Sequence, residues 1–328
     1  MRPFKADWEK TAIPNEISAR YIHKIVSTAL PDTPLQSYEV LEGGCANVNI
    51  KLTFDTAKNR LLRLYLRDPT SVYREQAIAE RIHQYIPVPR IEKISHFENI
   101  QYAICELKPG ITLRDLWLNH TPADTTDIMY QVGQTLADFA NFRFPAAGFF
   151  DETLSVKMTS SADDCLHFAQ DCLKHPVVST TLTKPLIRTI QQCLTENNQL
   201  LQIADDNQLV HGDFGPENIL VHPVNQRWQI SAILDWEFAF SGSMLWDIAN
   251  LQRYAHHVPK HFETQFVRGL LGSGITLPND WKKTTQLLNI ISLLDCLKCT
   301  DPAASPQQCL DIQALLEYCV TTLAKNPS

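Results

Sequence analysis

Three side chains that could do chemistry lie in two short segments in the second half of the chain. Asp213 and Asn218 are five residues apart in the segment 211–218, and Asp235 follows in the segment 233–237. Apolar residues flank both segments, which predicts a hairpin that brings Asp235 beside Asn218. A carboxylate and an amide oxygen at one point suit a hard cation such as Mg²⁺, and Asp213 is then left to accept a proton. Turn residues that satisfy only their own backbone would explain one such aspartate, but not all three residues together.

These two segments, His211-Gly-Asp-Phe-Gly-Pro-Glu-Asn218 and Ile233-Leu-Asp-Trp-Glu237, resemble motifs of a known family. It is the aminoglycoside phosphotransferase and choline kinase-like family, whose members are relatives of protein kinases and phosphorylate small molecules. The resemblance implies that Asp213 is the catalytic aspartate and that Asn218 and Asp235 bind Mg²⁺ on the phosphates of ATP or GTP. It also implies an α+β, bilobal, protein-kinase-like fold with a strand-rich N-lobe and a mostly helical C-lobe.

Three further residues have supporting roles by the same resemblance. His211 and Glu237 flank the catalytic and metal positions. Asp247, in the segment 242–250, corresponds to the family's aspartate that buttresses the active-site loops. A negative charge at a helix N-terminus is the alternative explanation for Asp247.

A glycine pair in the first third of the chain indicates a loop that approaches a ligand closely. Gly43 and Gly44 lie between two predicted strands, in a chain that has only 11 glycines. Two of them in one turn favour close backbone approach, although a plain hairpin turn is the alternative. The resemblance identifies this stretch, up to Asn47, as the loop that covers the nucleotide phosphates.

Arg63 and Glu75 are expected to contact the nucleotide by the same resemblance. Arg63 falls where kinases carry the strand lysine that contacts the α/β-phosphates, and an exposed strand cation is the alternative. Its acidic partner belongs on the following helix, where Glu75 and Glu80 are candidates. At about 100° per residue, Glu75 borders the apolar face of that helix, whereas Glu80 points about 140° away from Glu75, so we expect Glu75. Backbone groups near Cys105 and Leu107, at the hinge between the lobes, are expected to bind adenine.

The chain departs from protein kinases at several positions. Gly212 replaces the arginine beside the catalytic aspartate, and Gly215 stands at the position of a phosphate-contacting lysine. Trp236 and Glu237 replace the Phe-Gly that follows the metal aspartate, and the Ala-Pro-Glu signature of an activation segment is missing. These departures favour a kinase of small molecules over a protein kinase.

The elements that must position these residues change in character near residue 106. Periodicity predicts helices at 15–30, with Asn15 as the cap, and 70–85, and strands at 38–42, 48–54, 60–66, 91–97 and 102–106. Helices then dominate, around 128–139, 180–203, 259–271, 280–299 and 306–324, with short strands at 209–210, 219–221 and 230–234. We therefore divide the chain into an N-lobe (residues 1–105) and a C-lobe (residues 106–328).

Composition excludes several classes of protein. The chain has 328 residues, of which 44% are hydrophobic and 20% charged, as in ordinary globular proteins. No apolar run approaches the roughly 20 residues that span a bilayer, and the start lacks the apolar region of a signal peptide, so we expect a cytoplasmic protein. Nine scattered cysteines indicate free thiols. A net charge of −7 argues against nucleic-acid binding.

Charge asymmetry bears on the phosphate acceptor. Residues 1–105 have a net charge of +2, and residues 106–328 have a net charge of −9, counting lysine and arginine against aspartate and glutamate. Solvated helix faces explain this, or else an acidic bowl attracts a cationic substrate, with Glu237 and Asp295 as candidate contacts. We therefore expect an aminoglycoside-like or other amine-bearing alcohol as the small-molecule acceptor. A housekeeping kinase of choline, sugars or macrolides, a nucleotide-binding pseudokinase and an unusual protein kinase are the alternatives.

Overall fold

The structure is a computed structural model that describes residues 2–9, 17–41, 47–119, 122–204 and 206–325. The helices and strands of the N-lobe are α1 (Ala19–Ala29), β1 (Leu35–Leu41), β2 (Val48–Phe54), β3 (Arg60–Tyr65), α2 (Ser71–Ile82), β4 (Ile91–Phe97) and β5 (Ile100–Glu106). The five strands form one antiparallel sheet in the order β1-β2-β3-β5-β4.

Alternating apolar residues make this sheet amphipathic. Along β2 every second side chain is buried, from Val48 to Phe54, and these side chains pack against the apolar face of α1. Helix α1 is shorter than predicted because Ser18 caps it, with its hydroxyl accepting from the Tyr21 N–H at 3.3 Å. The predicted cap, Asn15, lies outside the described residues. Helix α2 packs on the sheet through Val72.

The C-lobe is mostly helical and contains two small sheets. Its elements are β6 (Ile111–Thr112), α3 (Leu113–Asn119), α4 (Pro122–Phe139), β7 (Gly148–Phe150), β8 (Val156–Thr159), α5 (Ala162–Lys174), α6 (Pro176–Thr181), α7 (Lys184–Glu196), β9 (Gln208–Val210), β10 (Ile219–Val224), β11 (Arg227–Ile233), β12 (Phe240–Gly242), α8 (Leu245–Gln252), α9 (Lys260–Gly272), α10 (Trp281–Lys298) and α11 (Pro306–Lys325). None of the helices within the described ranges is long and apolar enough to cross a membrane.

The hairpin β10–β11 carries the metal residues predicted from the sequence. Its strands pair antiparallel, with Ile219 opposite Ile233, and the Leu234 N–H donates to the Asn218 carbonyl at 2.8 Å. Asn218 and Asp235 therefore lie at the same end of the hairpin, as predicted. The Ile233 N–H donates to the carbonyl of Pro87 at 2.7 Å, which ties the hairpin to the N-lobe.

Candidate active site

Asp247 holds the backbone of the loop that carries Asp213. It lies in the first turn of α8, and its carboxylate accepts hydrogen bonds from the N–H groups of His211 (2.8 Å) and Gly212 (3.0 Å). One turn later, Asn250 donates to the carbonyl of Gly212 at 2.9 Å. The loop bends sharply at Gly212, where φ is +83° and a Cβ atom would lie 2.4 Å from the carbonyl oxygen of Phe238. A glycine is therefore needed where protein kinases have arginine.

Burial of Asp247 makes the stability of the fold depend on pH. Burial, with a smaller contribution from Asp213, raises the pKa of Asp247 from 3.8 to about 7. Between these pH values the folded protein binds a proton that the unfolded chain has lost, so the free energy of unfolding falls as pH rises. Asparagine at 247 cannot titrate. We expect denaturation at pH 5 and pH 8 to show that the stability lost on Asp247→Asn is smaller at pH 8, by on the order of 1 kcal/mol. An equal loss at both pH values would contradict this assignment.

As a neutral imidazole, His211 links the predicted catalytic loop (residues 211–218, called the catalytic loop below) to the predicted metal turn (residues 234–238, called the metal turn below). Its side chain is fully buried, and its Nδ1 accepts from the Asp213 N–H at 3.2 Å. Nε2 therefore carries the proton and donates to the carbonyl of Leu234 at 2.7 Å. Burial lowers the pKa of His211, which agrees with the neutral form. The ring thus links the backbone of Asp213 to the backbone of Leu234, the residue before Asp235.

Asp213 is held from both sides by side-chain contacts. Asn218 donates from Nδ2 to the carbonyl of Asp213 at 2.8 Å and to its Oδ2 at 3.0 Å. Lys5 Nζ lies 2.9 Å from Oδ1 of Asp213 and 2.5 Å from Oε1 of Glu217. Burial alone would raise the pKa of Asp213, but Lys5, with smaller contributions from Arg253 and His211, outweighs it, and the pKa is lowered. The carboxylate is therefore ionised and oriented.

Lys5 was missed by the sequence analysis. It lies 208 residues before Asp213, so no motif spacing relates the two residues. Aromatic residues close to Lys5 in the sequence, Phe4 and Trp8, are the local signal that this segment is buried.

Arg63 is the centre of a buried ion-pair network. Its Nη2 lies 2.6 Å from Oδ1 of Asp235 and 3.1 Å from Oε1 of Glu75, and its side chain is 9% exposed. The Tyr65 hydroxyl donates to the other oxygen of Glu75 at 3.0 Å. Arg63 is thus a buried residue rather than an exposed strand cation, and its partner on α2 is Glu75, not Glu80.

Residues of the N-lobe also hold the turn that follows Asp235. Asp235 has φ of +65°. Asn47, which is buried, donates to Oε2 of Glu237 at 3.0 Å. Arg74 donates from Nη2 to the backbone carbonyl of Glu237 at 2.6 Å. The metal turn of the C-lobe is therefore fixed by side chains of the N-lobe.

The acidic groups at this turn fit a hard cation. Glu75, Asp235 and Glu237 each offer a carboxylate oxygen, and these oxygens lie within 4.8 Å of one another. Burial raises the pKa of Glu75 and of Glu237 to about 7, as expected for carboxylates crowded together. Carboxylate and amide oxygens are the ligands of Mg²⁺, and Asn218, whose amide nitrogen faces Asp213, offers its amide oxygen at the same end of the hairpin. The donor set fits Mg²⁺.

The remaining predicted residues are placed less directly. Gly43 and Gly44 lie outside the described residues. Cys105 pairs with both β3 and β4, so its backbone is inside the sheet, whereas Leu107 follows the end of β5. Leu107 is therefore the better placed of the two for adenine. Asp295, a candidate contact of the acceptor, lies on α10, and its Oδ1 is 3.0 Å from Nζ of Lys298 on the same helix.

Comparisons with known proteins agree with these observations. The family model described as "Phosphotransferase enzyme family" matches residues 37–285. Hygromycin-B 4-O-kinase of Escherichia coli is 27% identical over 188 residues, which cover 55% of this chain and 50% of the kinase. Acyl-CoA dehydrogenase family member 11 of Gallus gallus is 42% identical over 52 residues, 16% of this chain and 6% of that protein. The chain thus spans at most half the length of the curated relatives it matches.

Solved structures share the fold. A thermostable mutant of aminoglycoside phosphotransferase APH(4)-Ia, in ternary complex with AMP-PNP and hygromycin B, superposes with a TM-score of 0.71 at 18% identity, covering 94% of this chain and 100% of that one. The GDP and kanamycin complex of APH(2")-IIia gives a TM-score of 0.72 at 15% identity, covering 92% and 99%. The predicted α+β, bilobal, kinase-like fold is therefore confirmed.

Proposed function

Because this chain belongs to the phosphotransferase enzyme family, we propose that it transfers the γ-phosphoryl group of ATP or GTP to a hydroxyl group of a small molecule. The observation that carries this proposal is the grouping of Asp213, Asn218 and Asp235. Asn218 contacts the carboxylate of Asp213 and lies at the same end of the hairpin as Asp235. A base and a cation site thus lie side by side, which is the arrangement that phosphoryl transfer requires.

Each residue of the site has a role in this reaction. Asp213 orients the acceptor hydroxyl and takes its proton. Asn218 and Asp235 would hold Mg²⁺, with Glu75 and Glu237 beside them, and Mg²⁺ when bound neutralises charge on the nucleotide phosphates. The buried network of Asp247 and His211 keeps the loop rigid, so most of the catalytic effect is positioning.

The nucleotide lies by this proposal between the sheet of the N-lobe and the hairpin. The family resemblance assigns phosphate binding to Gly43 and Gly44, and Asn47, three residues after Gly44, donates to Glu237. Arg63, next to Asp235, contacts the phosphates. The backbone at the hinge near Leu107 binds adenine.

The acceptor that we propose is an amine-bearing alcohol. The support is the likeness to hygromycin-B 4-O-kinase and the −9 balance of residues 106–328. One contact in the site favours a second class of acceptor. Lys5 already pairs with Asp213 and Glu217, which lowers the attraction of these carboxylates for a cationic acceptor. Neutral hydroxyl compounds therefore belong among the candidates.

Nucleotide turnover by the purified protein tests the proposal. With Mg²⁺ and ATP or GTP, diphosphate release is measured against hygromycin B, kanamycin, choline, a macrolide and a simple sugar, and the product mass is checked for one added phosphate. Asp213→Ala is the blank. We expect one acceptor class to stimulate release in the wild type and not in the variant. Release that continues unchanged in Asp213→Ala would contradict the assignment of the base.

A further inference from the structure

The N-terminal segment, residues 2–9, is anchored on the C-lobe beside the catalytic loop. Phe4 is 3% exposed, and its ring centroid lies 5.1 Å from that of Trp117 and 5.3 Å from that of Tyr254. Trp8 donates from Nε1 to Oδ2 of Asp311 at 2.8 Å, and the Tyr254 hydroxyl donates to the same oxygen. Two buried aromatic side chains therefore fix the segment on either side of Lys5.

The backbone of this segment is strained at the residue that reaches the cleft. Phe4 has φ of 63° and Lys5 has φ of 57°, a left-handed backbone conformation that residues other than glycine rarely adopt. Two such residues in a row persist only where surrounding contacts impose them, and such strain is typical of functional sites. Here the strain directs the side chain of Lys5 at Asp213.

Lys5 is a buried cation between two carboxylates. Its side chain is 14% exposed, and Nζ lies within ion-pair distance of both Asp213 and Glu217. Burial would lower the pKa of Lys5, but the two carboxylates outweigh it and raise the pKa, so the group stays charged. An ammonium group has three N–H donors. One donates to Asp213, while Glu217 lies within ion-pair distance of Nζ, so donor capacity remains for another oxygen.

The catalytic loop has no cationic side chain of its own, but its Glu217 carboxylate is placed where it binds one from outside the loop. The segment 211–218 contains no lysine or arginine. A Cβ atom at Gly215 would lie 2.5 Å from Oε2 of Glu217, so the Glu217 carboxylate occupies the space over Gly215. From there it reaches Lys5. The missing side chain at 215 and the Lys5–Glu217 pair thus occupy the same part of the site.

We propose that Lys5 supplies the cation of the phosphoryl-transfer site, where it positions Asp213 and directs its remaining N–H at the transferred phosphoryl group. This inference rests on the proposed function. In the reaction the acceptor oxygen forms the new bond to phosphorus, the bond to the nucleoside diphosphate breaks, and the hydroxyl proton goes to Asp213. Lys5 keeps its own proton throughout and stabilises the negative charge between base and phosphoryl group.

A blocking role for the N-terminal segment is the rival explanation, and exposure argues against it. The side chain of Asp213 is 27% exposed, which is more than the 14% of Lys5. The carboxylate of Asp213 therefore remains accessible to an acceptor while it is paired with Lys5. The two explanations predict opposite changes in rate, because removing a block raises turnover and removing a catalytic cation lowers it.

Four variants test the proposal in the full-length protein. We expect Lys5→Ala to lower kcat by about 10²-fold, as for the loss of one transition-state donor, with little change in the KM of the nucleotide. Lys5→Arg should restore part of the rate. Adding Gly215→Lys to Lys5→Ala should also restore part of it, because Gly215 has an ordinary φ of −103° and the Glu217 carboxylate, the flexible end of its side chain, can move aside and pair with the new lysine. Arg2→Ala is the matched control, since Arg2 is 68% exposed and pairs with Asp7.

Binding of a phosphoryl mimic gives a second readout that needs no acceptor. The affinity of each protein for MgADP or MgGDP is measured by calorimetry with and without aluminium fluoride, which mimics the phosphoryl group in transfer. We expect Lys5→Ala to lose about 10²-fold of the added affinity and to bind the diphosphate alone as the wild type does. If aluminium fluoride raised the diphosphate affinity of Lys5→Ala as much as that of the wild type, or if Lys5→Ala had a higher kcat, the inference would be overturned while the proposed function stands. If aluminium fluoride did not raise the diphosphate affinity of the wild type, both would be overturned.

Discussion

Asp213→Ala will lower kcat by about 10²–10⁴-fold, the usual loss when a general base is removed. The carboxylate is ionised, is held by Asn218 and Lys5, and remains partly exposed, so it is ready to take a proton from the acceptor. Nucleotide affinity should stay near that of the wild type, because Asp213 is not among the three clustered carboxylates at the metal turn. Steady-state kinetics with the acceptor identified in the screen, together with nucleotide titration, measures both quantities.

Asp206→Asn is the matched control for Asp213. Asp206 lies just before the same strand, β9, and pairs with Arg143 at 2.9 Å rather than with the residues of the catalytic loop. This variant should keep the kcat of the wild type. If Asp213→Ala turned over at a normal rate, or if both variants lost activity equally, Asp213 would not be the base.

Asp235→Asn will lower turnover by about 10²–10³-fold at ordinary Mg²⁺ concentration and raise the concentration of Mg²⁺ needed for half-maximal rate. Asparagine keeps the size of the side chain and one oxygen but loses the negative charge that a divalent cation requires. Arg63 keeps Glu75 as a partner, at 3.1 Å, so the fold should remain stable enough to assay. A magnesium titration of the rate distinguishes weaker metal binding from a damaged fold.

Glu80→Gln is the control for this second prediction. Glu80 is exposed on α2, the helix that also carries Glu75. It should leave both the rate and the magnesium dependence unchanged. An unaltered magnesium requirement in Asp235→Asn would exclude Asp235 as a ligand, whatever the loss of rate.

Local patterns in the sequence were enough to predict the strands of the N-lobe and the hairpin that brings Asp235 beside Asn218. Strands β2 and β4 begin and end where predicted. In β2 apolar residues alternate from Val48 to Phe54, and β4 begins just after the helix-breaking Pro87 and Pro89. The choice of Glu75 over Glu80 followed from helix geometry together with the family resemblance, and the Arg63–Glu75 ion pair confirms it. In each case the information lies within a few residues of the element itself.

Short elements and long-range contacts could not be predicted in this way. Strands β7, β8 and β12 have three or four residues each, so no periodicity develops within them, and β12 pairs with the distant strand β7. Helix α5 was also missed, although Ser161 and Asp164 form a capping box that marks its start. Lys5 meets Asp213 through tertiary packing of Phe4 and Trp8, which no spacing in the sequence encodes.

Arg63 is the counterion of the three acidic side chains that lie together near Asp235. Glu75, Asp235 and Glu237 would repel one another if they were left alone, yet the guanidinium of Arg63 contacts two of them directly. The protein thus carries its own counterion for this acidic cluster. In the proposed reaction Arg63 would also contact the phosphates, so one side chain would serve both as the counterion of these carboxylates and as a ligand of the nucleotide.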